Sequence, residues 1–319
     1  MYRCLRKDCN HSQLIEYQEC LRCVGGHRYS FLPDSRVPVF TDIGSYNSEF
    51  TNPESVEFND NNVEWLFSAF RANEPDVRRN LLSRLHPKPG QRVLITAAGT
   101  GKDLPVITEL LGGNGTIFAQ DISPQMLIAC HERIHRAYGL SDMNIELSVS
   151  DAMDLPFFDG FFDSAFHFGG LNFYSNIKKG IAEMNRVVKI GGRVVIADKG
   201  IAPWLLETDY GKMIVANNPL AASSIPLSLL PHSARDVNIS WILGYYCYVI
   251  DFTTSESLPD LDLDRHHIGR RGGSMRTRYY GQLEGVNPKL KDRIYVEAER
   301  RGMSRVDFLE QILKSALDD

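Results

Sequence analysis

The sequence predicts an α/β fold in which a mostly parallel, Rossmann-like sheet is flanked by helices. Three observations carry that expectation. Val93 to Ile95 is a short apolar run bounded by turn signals, as expected of a strand buried on both faces. Ala97, Gly99 and Gly101 then place small residues at every second position, which permits a tight turn and the close approach of a ligand. A helix opens there, and roughly twenty residues past the glycines the run Thr116 to Ala119 ends in Asp121. An acid at a strand's C-terminal end, facing a glycine turn and the unpaired N–H groups of a helix start, is placed to accept from two ribose hydroxyls. The unit is expected to bind a nucleoside.

The following elements keep the same alternation. Ser123-Pro124 suits an N-cap and first helical position, and a helix of about fifteen residues follows. Ile145 to Val149 alternates as the third strand and delivers Asp151 and Ala152 to its C-terminal end. Phe162 to Phe168 is the fourth strand and brings His167, Gly169, Gly170, Asn172 and Tyr174 to the same edge. Ile177 to Val188 reads as a helix, Ile190-Gly191-Gly192 as the turn into the fifth strand, and Val194 to Ala197 as that strand, followed by Asp198. Trp241 to Phe252 is strongly β-prone and supplies the last two strands, with Gly244 at the bend.

The stretches VLITAAGTGKDLP, FAQDISPQML, SDAMDLPFFDGFFDSAF and EMNRVVKIGGRVVIADKG, in that order, resemble the class I S-adenosylmethionine-dependent methyltransferases. The resemblance is closest to the branch that includes the ubiquinone and menaquinone biosynthesis enzymes. It implies a seven-stranded sheet and S-adenosyl-L-methionine, a methyl donor, rather than a dinucleotide. By the resemblance, Asp121 holds the ribose, Gly99 and Gly101 admit the methionine end, and Asp151 with Ala152 reads the adenine amino group. Ile122 and Met126 lie near the adenosine or are ordinary helix core, and Asp151 has the competing role of a turn aspartate. Two positions depart from the family: Ile95 stands where it usually has an acid that helps hold the methionine end, and Ala97 replaces the first glycine. Asp103 either compensates for that acid or is a first-turn acid favoured by the helix dipole.

Methyl transfer from a sulfonium is an in-line displacement, so the protein mainly aligns donor and acceptor, and an oxygen acceptor must also lose a proton. His167, which lies where the transferable methyl should point, is the first candidate base and a cofactor-side residue. Its alternative is to line the pocket or hydrogen-bond the backbone. Tyr174 and Asn172 are candidates for orienting the acceptor.

Composition bounds the remaining classes. At 319 residues the chain suffices for one large domain with additions. A net charge of −5 provides no global basic field, so nucleic acid is not the expected partner. No apolar run approaches the roughly 18 residues of a membrane span, and the opening segment lacks a signal peptide's apolar core, so a cytoplasmic protein without membrane association is expected.

Of the six cysteines, Cys4, Cys9, Cys20 and Cys23 crowd into the opening segment as C-x4-C and C-x2-C, while Cys130 and Cys247 stand alone. Paired thiolates at these spacings suit a tetrahedral Zn2+ site, and a site closed by four ligands is structural. The segment CLRCVGGHRYSFLPDSRVPVF also resembles the zinc-ribbon modules at the N-termini of some methyltransferases, including certain rRNA guanine methyltransferases. Four cysteines are the expected ligands, with His11 and His27 as substitutes.

These readings divide the chain into a zinc-ribbon-like module at 1–40, a linker and leading helices at 41–86, a methyltransferase domain at 87–255 and an appendage at 256–319. Within the leading segment, Asp42 to Asn62 reads as polar linker, and Glu64 to Leu85 as two helices split at Pro75. Residues 199–240 form a substrate-side insertion. The appendage carries Arg270, Arg271, Arg276 and Arg278; a strand near Met275 to Leu283 followed by two helices resembles the ribbon-helix-helix modules of small bacterial repressors, which implies a homodimer through the tail. The expected function is methyl transfer to an oxygen, nitrogen or carbon of a small-molecule acceptor in a biosynthetic pathway. The alternatives are an RNA methyltransferase, suggested by the zinc module, and a non-catalytic scaffold or DNA-contacting protein whose altered glycine turn no longer supports chemistry.

Overall fold

The computed structural model of the chain describes residues 1–41, 52, 54–268, 273–280 and 286–317. It comprises two compact units, Met1–Leu258 and Pro259–Asp319.

The N-terminal segment forms a small antiparallel sheet of β1 (Ile15–Tyr17), β2 (Cys20–Arg22) and β3 (Arg28–Ser30). So short a piece cannot bury a core of its own. It shares one instead: Tyr2, Leu14, Leu21 and Phe40 join Phe118, Phe157 and Phe162 in a single apolar cluster. Val39 bridges in parallel to Val149, with Phe40 N donating to Val149 O at 2.8 Å, so this segment caps one edge of the main sheet. Arg3, almost fully buried, forms ion pairs with Glu183 at 3.7 Å and Asp154 at 3.9 Å that tie the segment down.

Two helices follow, α1 (Glu54–Ala69) and α2 (Glu74–Ser83), the second capped by the Asn73 side chain accepting from Asp76 N at 3.0 Å. The expected linker at 42–62 is therefore helical from Glu54 onward, and 42–51 and 53 lie outside the described residues. Most of the polar residues that suggested a loop lie on the solvent side of α1; Ser55 is buried at its start, and Asp60 is bonded to Thr100 of the glycine turn.

The main sheet contains β4 (Arg92–Thr96), β5 (Thr116–Asp121), β6 (Asn144–Val149), β7 (Phe162–Phe168), β8 (Val188–Lys199), β9 (Arg235–Ile242) and β10 (Cys247–Thr253), in the order β6-β5-β4-β7-β8-β10-β9. Strands β4 to β8 are parallel to their neighbours, and β10 runs antiparallel to both β8 and β9. The expected α/β sheet of seven strands is thus present. Helices α3 (Leu104–Leu110), α4 (Pro124–Arg136) and α5 (Ile177–Val187) connect the parallel strands, and α6 (Asp209–Asn217) lies in the expected insertion. Thr96 pairs with Gln120 and His167, and Asp121 with Val149, so the carboxyl ends of β4, β5, β6 and β7 lie level along one edge. The connection from β4 goes to one side and that to β7 to the other, which opens a crevice between them. Among the described residues no helix is long and apolar enough to cross a membrane.

In the second unit, α7 (Met275–Tyr280), α8 (Pro288–Arg300) and α9 (Arg305–Leu317) follow one another. The expected strand from Met275 is therefore a helix over 275–280, and Arg270, Arg271 and 281–285 lie outside the described residues. Its start explains the difference: Ser274 Oγ accepts from Thr277 N at 3.2 Å while Thr277 Oγ1 accepts from Ser274 N at 2.7 Å, a reciprocal cap that begins a helix. The start of α9 is also capped by a side chain, with Ser304 Oγ accepting from Asp307 N at 3.1 Å.

Candidate functional site

The carboxyl edge of the sheet assembles the residues expected to bind a nucleoside. Asp121 ends β5 and is almost fully buried; its Oδ2 accepts from Gly99 N at 2.8 Å and its Oδ1 from Ser123 N at 2.9 Å. The carboxylate is thereby fixed across the crevice between two loops, with lone pairs left for further donors. Burial pushes the Asp121 carboxyl above the usual range, and the amides of Ser123, Gly99 and Ile122 pull it back only in part.

The glycine turn divides its labour. A side chain on Gly101 would meet Cys130 Sγ at 2.6 Å, so this glycine packs the turn against α4. A side chain on Gly99 would meet nothing within 4 Å, and the backbone N of the same residue donates to Asp121, so the open space adjoins that carboxylate's partner. Open space beside a fixed carboxylate is what a nucleoside needs, so the residues present fit S-adenosylmethionine. Ala97, where a glycine was expected, holds φ +51°, a left-handed conformation that costs an L-residue roughly 1 kcal/mol. Ala97→Gly is expected to stabilise the chain by about 0.5 kcal/mol after the added unfolded-state entropy, read as a rise in denaturant midpoint at unchanged slope.

Met126 is buried and its amide donates to the Ser123 side chain at 3.3 Å, while Ile122 stands half-buried beside it. Asp151 follows β6, its Oδ1 accepting from Met153 N at 2.8 Å, and Ala152 is buried. Asp103 stands at the N-cap of α3, not within its first turn, and is buried in an ion pair with Arg78, Nη1 to Oδ1 2.6 Å. Sequence alone cannot show this, because the partner lies on α2.

His167 is completely buried at the end of β7. Its Nδ1 lies 3.0 Å from Thr96 Oγ1, its ring meets Tyr174 edge-on at 5.6 Å, and its Nε2 has no hydrogen-bond partner among the described residues. Burial pushes its pKa down to about 4, so the imidazole is neutral at pH 7 and a weak proton acceptor. A depressed histidine contributes stability that is full above its unfolded pKa near 6.5 and is lost as pH falls toward 4. Native protein should accordingly lose on the order of 3 kcal/mol across that interval, and His167→Asn should flatten the dependence of Tm on pH there. Asn172 is committed to the fold, its Nδ2 donating to Lys199 O at 2.8 Å and its amide to Asp198 at 2.9 Å.

Helix α1 covers the turn through Asp60, which sequence reasoning missed inside a polar stretch. Asp60 accepts from Thr100 Oγ1 at 3.1 Å, forms an ion pair with Lys102 at 3.5 Å and is bonded to Arg133. Burial raises its carboxyl, but Arg133 and Lys102 outweigh burial and hold it below the usual range.

Residues 75–212 match the model of the ubiE/COQ5 methyltransferase family. Over that stretch the chain is similar to the class I methyltransferases of that family. The demethylmenaquinone methyltransferase of Corynebacterium kroppenstedtii is 35% identical to this chain over 121 residues, 38% of this chain and 47% of that protein. The ubiquinone/menaquinone biosynthesis C-methyltransferase UbiE of Bordetella avium is 31% identical over 117 residues, 37% of this chain and 44% of that protein. The chain thus spans about half the length of the curated relatives it matches. Phosphoethanolamine N-methyltransferase 2 of Haemonchus contortus, solved with phosphomonomethylethanolamine and S-adenosylhomocysteine, superposes with a TM-score of 0.52 at 16% identity, covering 66% of this chain and 61% of that one, and so shares the fold. The matched stretch begins within α2 and takes in the glycine turn, Asp121, Asp151 and His167.

Outside that domain, Cys4, Cys9, Cys23 and His27 bring their ligand atoms within 4.8 Å of one another. Cys9 Sγ lies 3.2 Å from Cys23 Sγ, and His27 Nδ1 lies 3.3 Å from Cys23 Sγ and 3.5 Å from Cys4 Sγ. His27 Nε2 faces Asp8 at 3.6 Å, which turns Nδ1 to the thiols. Cys20, an expected ligand, is absent from this group and its Sγ lies 3.3 Å from Tyr17 O. The hairpin accounts for the exchange. Cys20 pairs with Tyr17 at one end of β2, whereas Cys23 and His27 face each other across the β2–β3 turn, with Cys23 N donating to His27 O at 3.1 Å.

Proposed function

We propose that this chain transfers a methyl group from S-adenosylmethionine to a carbon, oxygen or nitrogen of a small apolar acceptor in a biosynthetic pathway. The observation that carries the reading is Asp121, fixed by the amides of Gly99 and Ser123 beside the open space over Gly99. S-adenosylmethionine supplies an electrophilic methyl group when bound there. Asp121 accepts from the ribose hydroxyls, Asp151 takes the adenine amino group, and the Ile122 and Met126 side chains line the adenosine. Thr96 and Tyr174 hold the His167 ring, whose bare Nε2 orients the acceptor or accepts its proton.

The acceptor side is apolar. A groove of ≈ 260 Å³ between α1 and α6 is lined by Trp65, Phe70, Tyr210, Met213, Ile214 and Tyr246, and Tyr246 O accepts from Gly200 N just past the end of β8. Such a lining suits an acceptor with a hydrocarbon portion, and the curated relatives are demethylmenaquinone methyltransferases by name. Demethylmenaquinol with radiolabelled methyl donor is the direct test: label in the quinol, reduced by Met213→Asp, is the expected result. No transfer by protein that binds the donor would exclude this acceptor. The Cys4, Cys9, Cys23 and His27 group is proposed to hold a structural Zn2+, since its donor set and closure suit that ion.

A further inference from the structure

Six charged side chains form a connected network above the glycine turn. Arg78 donates through Nη1 to Asp103 Oδ1 at 2.6 Å and through Nε to Glu74 Oε1 at 2.8 Å. Lys102 reaches Asp60 at 3.5 Å and Glu74 at 4.0 Å, and Arg133 closes the network on Asp60. Three cations face three carboxylates, so the network is neutral as a whole. Its centre is also its driest part, the side chains of Arg78 and Asp103 each being only 8% exposed. Burying two such charges costs several kcal/mol per ion, and an apolar pair of similar volume would usually serve stability as well or better. Stability alone is a poor reason for a charged pair here.

Position supplies another reason. Asp103 closes the glycine turn, and the Arg78 guanidinium lies 5.4 Å from the ring centroid of Phe168, the last residue of β7. The pair therefore sits at the crevice between β4 and β7, while β4 itself ends in Ile95 and Thr96 with no charge to offer. A guanidinium has five donors, more than its two carboxylate partners require.

We propose that the Arg78–Asp103 pair holds the zwitterionic amino-acid end of the cofactor, Arg78 donating to its α-carboxylate and Asp103 accepting from its α-ammonium. The inference rests on the cofactor reading given above. A zwitterion brings no net charge into a neutral buried network, whereas a simple anion or cation would leave one charge unpaired.

The test compares S-adenosylhomocysteine with 5′-methylthioadenosine, which has the same nucleoside and a thioether but no amino-acid end, by calorimetry on the full chain. The native protein should prefer S-adenosylhomocysteine by about 10- to 100-fold, as charge-assisted bonds of this kind provide. Arg78→Met should abolish that preference while leaving the affinity for 5′-methylthioadenosine within about 3-fold, since the nucleoside contacts remain. Should Arg78→Met fail to bind 5′-methylthioadenosine, the double variant Arg78→Met with Asp103→Asn decides, because it leaves no orphaned charge in the pair. An undiminished preference in either folded variant, or no preference in the native chain, overturns the assignment while leaving the nucleoside site intact. Binding of neither ligand by the native chain overturns the cofactor reading itself.

Discussion

Asp121→Ala should weaken binding of S-adenosylmethionine by about 100-fold or more, the largest effect expected of any single substitution at the sheet edge. Two ribose hydroxyls donating to one buried carboxylate form charge-assisted bonds in a dry site, each contributing roughly 1.5–3 kcal/mol. The alanine also leaves the Gly99 and Ser123 amides without the acceptor that now fixes them, so the turn itself loosens. Asp121→Asn separates the two losses, because it keeps the shape and one acceptor oxygen. The pH dependence has a definite sign. Burial raises this carboxyl, so cofactor affinity should fall on acidification at a higher pH than an ordinary aspartate would give. For folding the sign is opposite: the buried charge opposes folding once pH exceeds the unfolded pKa, and protonation on acidification relieves it. Isothermal titration of native and substituted protein between pH 5 and 8 checks the first statement, and thermal melts over the same range check the second.

Cys23→Ser, or removal of zinc by a chelator, should lower the stability of the first unit by roughly 3–5 kcal/mol and abolish stoichiometric zinc. The loss spreads because the cluster is not an isolated bead. Cys4 and Cys23 are buried in the same apolar cluster as Phe118, Phe157 and Phe162 of the methyltransferase domain, so slackening the hairpin uncovers that core. Cys20→Ser is the control: its thiol lies outside the group, and the change should stay within about 0.5 kcal/mol with zinc retained. Zinc content and thermal melts distinguish the two variants.

The parallel strands were legible because burial on both faces leaves little freedom of composition. Runs such as Val93–Ile95 and Val194–Ala197 are apolar for that reason and end where the ligand edge begins. Strand β9 starts at Arg235, earlier than the apolar pattern indicates, because an edge strand facing solvent carries Arg, Asp and Asn without penalty. Helix α1 was hidden for a related reason: its exposed face is polar, and the one acid that matters, Asp60, looks like its neighbours until Arg133 and Lys102 are seen against it. At the cysteine and histidine group, the tight C-x2-C spacing pointed to Cys20, although the hairpin places that residue at the far end of β2 and brings His27 to the other thiols. Asp103 reads in sequence as a first-turn acid, but it stands at the N-cap of α3 as half of a buried pair, which sequence could not show because Arg78 is distant along the chain.

The central claim is that the altered turn, with Ile95 and Ala97 in place, still forms a cofactor site. Calorimetric titration of the native chain, prepared with zinc in the buffer, with S-adenosylhomocysteine tests it most directly. Saturable binding at one site per chain with a Kd in the micromolar range is the expected result. Absence of saturable binding up to millimolar ligand, in protein shown to be folded by its melt, would contradict it and leave the sheet as a scaffold without a methyl donor.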